Sequence, residues 1–157
     1  MAESHLSPQA YERLREELEW RTTTYRRELS LAIERARELG DLSENADYDA
    51  AKDEQGKSEA RVRQIEEILK HAVVLEGTSS GDVVEPGVLV DIVYEGDTDP
   101  TTYLVGSIEE RHDVYDVLST NSPLGQAILG VGPGAEVTYQ GPRRELSAKV
   151  VAVRPLD

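Results

Sequence analysis

The chain has no cysteine and no phenylalanine, a single methionine and a single tryptophan. It also lacks any apolar run near the 18 residues that a membrane helix requires. Without cysteine, disulfides and thiolate zinc sites are excluded, and the composition fits a cytoplasmic protein. The start, Met1-Ala2-Glu3-Ser4-His5, has neither the basic region nor the apolar core of a secretory signal, so cytoplasmic location is the expectation. Basic residues are scarce as well: 17 Lys and Arg stand against 31 Asp and Glu, giving a net charge of −14. Wrapping duplex DNA draws on many Lys or Arg contacts to phosphate, so this balance argues against a sequence-specific DNA binder. Residues 1–76 hold 18 acids and 12 bases, and residues 77–157 hold 13 and 5, so neither half is a basic domain. Any nucleic-acid contact is therefore local, or is made inside a partner that supplies the positive charge.

What is present begins with two runs of helical periodicity. The second places Tyr48, Ala51, Gln55, Ser58, Val62, Ile65, Leu69 and Ala72 at steps of three and four, the seam of a coiled coil. The first is less regular: Tyr11, Leu14 and Leu18, then Tyr25, Leu29, Ala32 or Ile33, and Ala36, with Arg21 falling on the seam. Ser7 and Pro8 read as N-cap and first helical residue, with Leu6 stapling back onto Tyr11, and Gly40 as the stop. One helix from Pro8 to Leu39 would be roughly 48 Å long at 1.5 Å per residue. Between the runs lies Gly40-Asp41-Leu42-Ser43-Glu44-Asn45-Ala46-Asp47-Tyr48-Asp49-Ala50-Ala51. From Asp41 to Glu54 six carboxylates face one base, Lys52, a local charge of about −5. The predicted shape is an antiparallel hairpin with an acidic tip near 40–49.

Residues 77–87 carry linker and turn chemistry, Gly77-Thr78-Ser79-Ser80-Gly81 and Glu85-Pro86-Gly87. Beyond them, β-prone runs recur at Val88–Tyr94, Thr101–Val105, Val114–Leu118, Glu136–Gln140 and Ala148–Val153. A short helix opens at Ser122-Pro123 and closes at Gly130. The predicted class is α+β: a helical domain at 1–76, a linker at 77–87 and a small β-rich domain at 88–157.

These residues resemble the Gre family of bacterial transcript-cleavage factors. The family's tip pattern, G-D-L-x-E-N-A-E-Y-H-A-A, has eleven fixed places. Ten match residues 40–51 if Asp47 is allowed for Glu, and Asp49 stands where the family has His. Asn121-Ser122-Pro123-Leu124-Gly125 is similar to a second family segment, N-S-P-[IL], before the short helix. The resemblance implies an N-terminal antiparallel coiled coil that enters the secondary channel of bacterial RNA polymerase, and an FKBP-like globular domain that docks outside through Ser122, Pro123 and Leu124. It implies that Asp41 and Glu44 help hold a catalytic Mg²⁺ shared with the polymerase, whose own site then cleaves backtracked RNA near its 3′ end. The chain itself would be a monomeric cofactor rather than an enzyme. It further implies that Arg37 and Lys52 guide the extruded RNA, with Asn45 and Tyr48 supporting the tip.

Other readings of the same residues stand beside these. Asp41-Leu42-Ser43-Glu44 is also a capping box for a helix start. Arg37 and Lys52 read equally as solvated helix residues, Tyr48 and Trp20 as packing or helix surface, Pro123 as a plain first-turn residue and Leu124 as core. His5, His71 and His112 show no metal-ligand spacing. Asp49 is a favourable charge near a helix start or, by repelling RNA phosphate, a brake on cleavage. The alternative function is a Gre-like inhibitor that plugs the channel without cleavage. Prolyl isomerase activity is disfavoured, since its pocket needs aromatic walls and only Tyr94, Tyr103, Tyr115 and Tyr139 are at hand.

Overall fold

Leu29, Ile33 and Ala36 on one helical arm and Ser58, Val62 and Ile65 on the other are buried, and this pairing folds the first half of the chain into a hairpin. The computed structural model describes residues 3–40, 45–75 and 81–156. The first arm is helix α1 (Pro8–Trp20), a π-helical turn (Arg21–Tyr25) and helix α2 (Arg26–Glu38); the second is α3 (Ala46–Lys70). Cross-arm bonds run in opposite directions along the two arms, from Glu17 with Arg61 through Arg21 with Ser58 and Tyr25 with Glu54 to Ala36 with Asn45. The arms are antiparallel.

The single helix expected from Pro8 to Leu39 is interrupted by the π turn, for a reason the sequence contains. Tyr11, Leu14, Leu18, Arg21 and Tyr25 follow a three-four rhythm, but Leu29, Ile33 and Ala36 come one residue later than that rhythm allows. A turn closed from i to i+5 absorbs the extra residue and keeps the later apolar positions facing inward. The hydroxyls of Thr22 and Thr23 donate to the carbonyls of Leu18 and Glu19 at 2.8 and 2.6 Å, satisfying acceptors there. The same turn brings i and i+5 into line, so Trp20 and Tyr25 stack with ring centroids 4.4 Å apart. Arg21, on the seam, donates to Glu17 at 2.7 Å and to the buried Ser58 hydroxyl at 3.1 Å. Arg61 grips Glu17 from the other arm at 3.0 and 3.1 Å. The hydrogen bond from Arg61 is the main reason the Glu17 carboxyl is held down to about 2; burial opposes it and Arg21 adds to it.

By backbone contacts the chain divides into Tyr11–Ala72 and a globular unit that combines Glu3–Ala10 with the chain from Val73 onward. Strand β1 (Ser4–Leu6) pairs with β2 (Ala72–Val74), and the Leu75 N–H donates to the Leu6 carbonyl at 2.8 Å. Leu6 is fully buried. Ser7 accepts from the Ala10 N–H at 3.1 Å, capping α1 as expected. It also donates its own N–H and hydroxyl to the buried Glu110 carboxylate at 2.8 and 2.7 Å. The main sheet has the order β5-β4-β3-β7-β6, built from β3 (Val88–Tyr94), β4 (Thr101–Gly106), β5 (Asp116–Ser119), β6 (Glu136–Gln140) and β7 (Glu145–Pro155). All neighbours are antiparallel except β4 and β5. Alternate residues of β3, Val88, Val90 and Ile92, join Val105, Ala148 and Val150 in the core beneath Leu124 and Ile128 of α4 (Pro123–Ile128).

Strand β5 starts at Asp116 rather than at Val114. The backbone N–H groups of Val114 and Tyr115 both donate to the His112 imidazole, at 3.1 and 3.3 Å, which holds a turn where alternation alone reads strand.

Candidate functional site

Residues Asp41 and Glu44, the expected catalytic and metal-binding pair, lie outside the described residues, as do Leu42 and Ser43. Their anchors on both sides are described. Helix α2 ends at Glu38, and Gly40 turns the chain out of it at φ +114°, a conformation open to glycine. Asn45 starts α3: its side-chain oxygen accepts from the Tyr48 N–H at 3.1 Å. The cap of α3 is thus supplied by Asn45, and the capping-box reading of 41–44 falls on residues outside those described. The amide nitrogen of Asn45 reaches across to the carbonyl of Ala36, inside the last turn of α2. One side chain thereby ties the end of one arm to the start of the other.

Arg37 lies over the Tyr48 ring, 5.9 Å from its centroid, a cation–π contact between the arms. The contact limits the rotamers of an otherwise exposed guanidinium and leaves its charge beside the tip. Lys52 is exposed and donates to the Gln55 side-chain carbonyl at 3.1 Å. Asp47 and Asp49 occupy the first turn of α3, where the helix dipole favours acids, and Asp49 is exposed. Asp53 pairs with Lys57 at 3.1 Å. Among the described residues no cluster of three His, Asp or Glu could hold a metal ion.

In the globular unit Ser122 is an N-cap, accepting from the Gly125 N–H at 3.0 Å while donating to the Ser119 carbonyl at 2.7 Å. A side chain added at Gly125 would meet the Ser119 carbonyl at 1.9 Å, so glycine alone lets α4 approach β5 this closely. Pro123 is exposed and Leu124 is buried in the core, 6% exposed. All three edge a cleft of about 510 Å³ whose opposite wall is Tyr94, Tyr139 and Pro142. Tyr94 and Tyr139 were among the aromatics the sequence offered for a pocket, but nothing local in β3 or β6 signals that they and Pro142 meet α4. Among the described residues no helix is long and apolar enough to cross a membrane.

A family model described as "Transcription elongation factor, N-terminal" matches residues 4–74, and one described as "Transcription elongation factor, GreA/GreB, C-term" matches residues 78–155. The transcription elongation factor GreA of Streptomyces coelicolor is 42% identical over 154 residues, covering 97% of this chain and 93% of the relative. The GreA of Geobacillus kaustophilus is 37% identical over 150 residues, 95% of each chain. Among solved structures, Thermus aquaticus Gfh1 aligns over 98% of this chain and 99% of its own at 28% identity, with a TM-score of 0.45.

Proposed function

Because the chain belongs to the GreA/GreB family of transcription elongation factors, we propose that it enters the secondary channel of RNA polymerase and stimulates the polymerase's own cleavage of backtracked RNA. The feature that carries this reading is the pair Asp41 and Glu44, which fall in the sequence between two antiparallel arms whose ends are tied together by Asn45. A hairpin of this kind presents its turn to a partner. Arm α3 alone, at 1.5 Å per residue, is about 37 Å long, enough to carry carboxylates down a channel.

Two carboxylates are hard oxygen donors that suit Mg²⁺, yet they fill only part of an octahedral shell. The ion fits as one shared with the polymerase and RNA, and it would supply charge neutralisation at the scissile phosphate. In this reading Asp41 and Glu44 would help hold the ion, and their free oxygens would accept hydrogen bonds from the attacking water and orient it. Arg37, steadied over Tyr48, and Lys52 offer cations to the phosphates of the extruded 3′ end. The globular unit docks outside the channel around Ser122, Pro123 and Leu124. The chemistry remains the polymerase's.

A second reading, a channel plug without cleavage, draws on one observation: Asp49 adds an exposed carboxylate close to the tip, where the family has His. Stalled, backtracked polymerase incubated with this protein separates the two. Shortened RNA on a gel is the expected outcome, and it should vanish for Asp41→Ala and for Glu44→Ala while polymerase binding stays within a few-fold. Full cleavage by the double alanine variant would remove the assignment of these two residues. Intact RNA with the parent protein, together with slowed elongation, would establish the plug.

A further inference from the structure

The hairpin is apolar inside at its two ends and polar across its middle. Along the first arm no residue between Leu14 and Leu29 is buried, and on the second arm the stretch from Asn45 to Val62 buries only the hydroxyl-bearing Ser58 before Val62 itself. A ladder of cross-arm bonds stands where the apolar seam lapses. Arg61 forks onto Glu17 at 3.0 and 3.1 Å, and Arg21 donates to Ser58 at 3.1 Å. Beyond them Tyr25 donates to Glu54 at 2.7 Å, and Arg26 forks onto Glu59 at 2.8 and 3.2 Å. Arg21 and Arg61 meet on the single Glu17 carboxylate, so the first two rungs form one cluster.

Apolar packing has no direction, and α3 meets the middle of the first arm with Ala51, Gln55 and Ser58, none of them a bulky apolar knob that would fix the arms lengthwise. A slide of one helical turn, about 5 Å, returns nearly the same seam face to the partner arm. It breaks every rung, because a displacement of that size exceeds the reach of a hydrogen bond. A charged cluster of this kind is a weak source of stability, since its groups give up water to form it and apolar residues of similar size hold as well or better. What it supplies is a choice of register. At the tip Asn45 holds the arms by one hydrogen bond to Ala36, and the ladder runs back to Arg61, roughly 24 Å behind Asn45 along α3.

We propose that Glu17, Arg21, Ser58 and Arg61 are positioning residues, which lock the two arms in one lengthwise register and so fix where Asp41 and Glu44, carried between the arms, are presented. This rests on the cleavage reading above and adds to it the part of the hairpin that aims those carboxylates. A slipped hairpin has to draw residues from the end of one arm into the turn, which displaces the carboxylates from the attacking water. The globular unit is untouched by the slip, so the saturated rate falls and the docking does not.

The chain has no cysteine, so nitroxide labels on Glu34→Cys and Ala60→Cys, exposed positions well apart along α2 and α3, report the register by double electron–electron resonance. The labelled parent should give one narrow distance. Replacing the whole cluster, as Glu17→Met, Arg21→Leu, Ser58→Ala and Arg61→Met, leaves no orphaned charge or hydroxyl, so the variant should melt at or above the parent. It should show a second distance displaced by about 5 Å. On backtracked polymerase the unlabelled variant's saturated cleavage rate should fall about 3-fold or more, in step with the fraction lost from the parent distance, while its half-saturating concentration stays within about 2-fold. Arg21→Leu with Ser58→Ala keeps the fork between Glu17 and Arg61; it should give a smaller second population and an intermediate rate, and it carries the test if the fourfold variant does not fold. A single parent-like distance in both variants would overturn the lock, and a lowered rate at that unchanged distance would give the arginines a direct contact instead. A displaced distance with a parent-like saturated rate would overturn the positioning role. If the parent stimulates no cleavage, the functional reading falls and takes this one with it; if the parent cleaves and both variants match it, only this inference falls.

Discussion

Asn45 does two things with one amide: its oxygen caps α3 and its nitrogen holds the Ala36 carbonyl. Serine at this position keeps a cap acceptor but is too short to bridge the arms. Asn45→Ser should therefore hold helicity and melting temperature near the parent's, the cap being worth about 1 kcal/mol, while lowering the saturated cleavage rate several-fold. A parent-like rate would reduce Asn45 to a cap. Asp49 tests the opposite sign. Asp49→His should raise cleavage at low ionic strength, with the gain fading as salt screens phosphate repulsion. Equal rates across a salt titration would make the position plain helix surface. Asn45 was legible in the sequence as a residue that orders the turn, because it stands in a short stretch of distinctive chemistry; Asp41 and Glu44 lie outside the described residues. The partner of Asn45 was not, since a backbone carbonyl leaves no trace in residue type, and the approach of Tyr139 and Pro142 to Pro123 depends on strand order.

At the level of elements, short runs of β-prone residues located β3 and β6 to the residue and the core of β7, because alternation against a buried face leaves a period of two. Strands β1 and β2 are three residues each, too short to show any period. The π turn was half legible: the lagging seam and the charged Arg21 marked an irregularity, but only the packing of Leu29 and Ile33 shows that one extra residue is taken up there. Deleting Thr24, exposed and in that turn, should restore an even three-four seam and yield an unbroken helix. Cooperative unfolding with a midpoint near the parent's is the expected result; loss of the folded hairpin would mean that the π turn itself sets the register. Glu17 gives the hairpin an acid sensitivity. Its folded value of about 2 lies below the ordinary 4.5, so its stabilisation is fully present above about 4.5 and is lost as pH falls towards about 2. Glu17→Gln should melt lower than the parent at neutral pH, with the difference closing through that window in a circular-dichroism series. A pH-independent difference would assign the effect to packing alone.

Across the whole molecule, residues 3–10 belong with the chain from Val73 onward, while residues 11–72 form the helical unit between them. In topological terms the hairpin is an insertion: the globular unit is discontinuous in sequence and closes only when Ser7 meets Glu110, about a hundred positions later. Residues 3–10 must wait for their distant partners, while the hairpin, whose contacts are nearer in sequence, can form first. An internal deletion follows from the same connectivity. Joining Ala10 to Val73 through a short flexible loop should leave a cooperatively folding globular unit, because β1 still finds β2 and Ser7 still finds Glu110. A truncation beginning at Val73 should melt lower, having lost both, and equal melting of the two forms would make the arm dispensable. The chain is thus built so that the part proposed to reach into a partner can be lengthened, shortened or exchanged at two adjacent seams, with the body that carries it left intact.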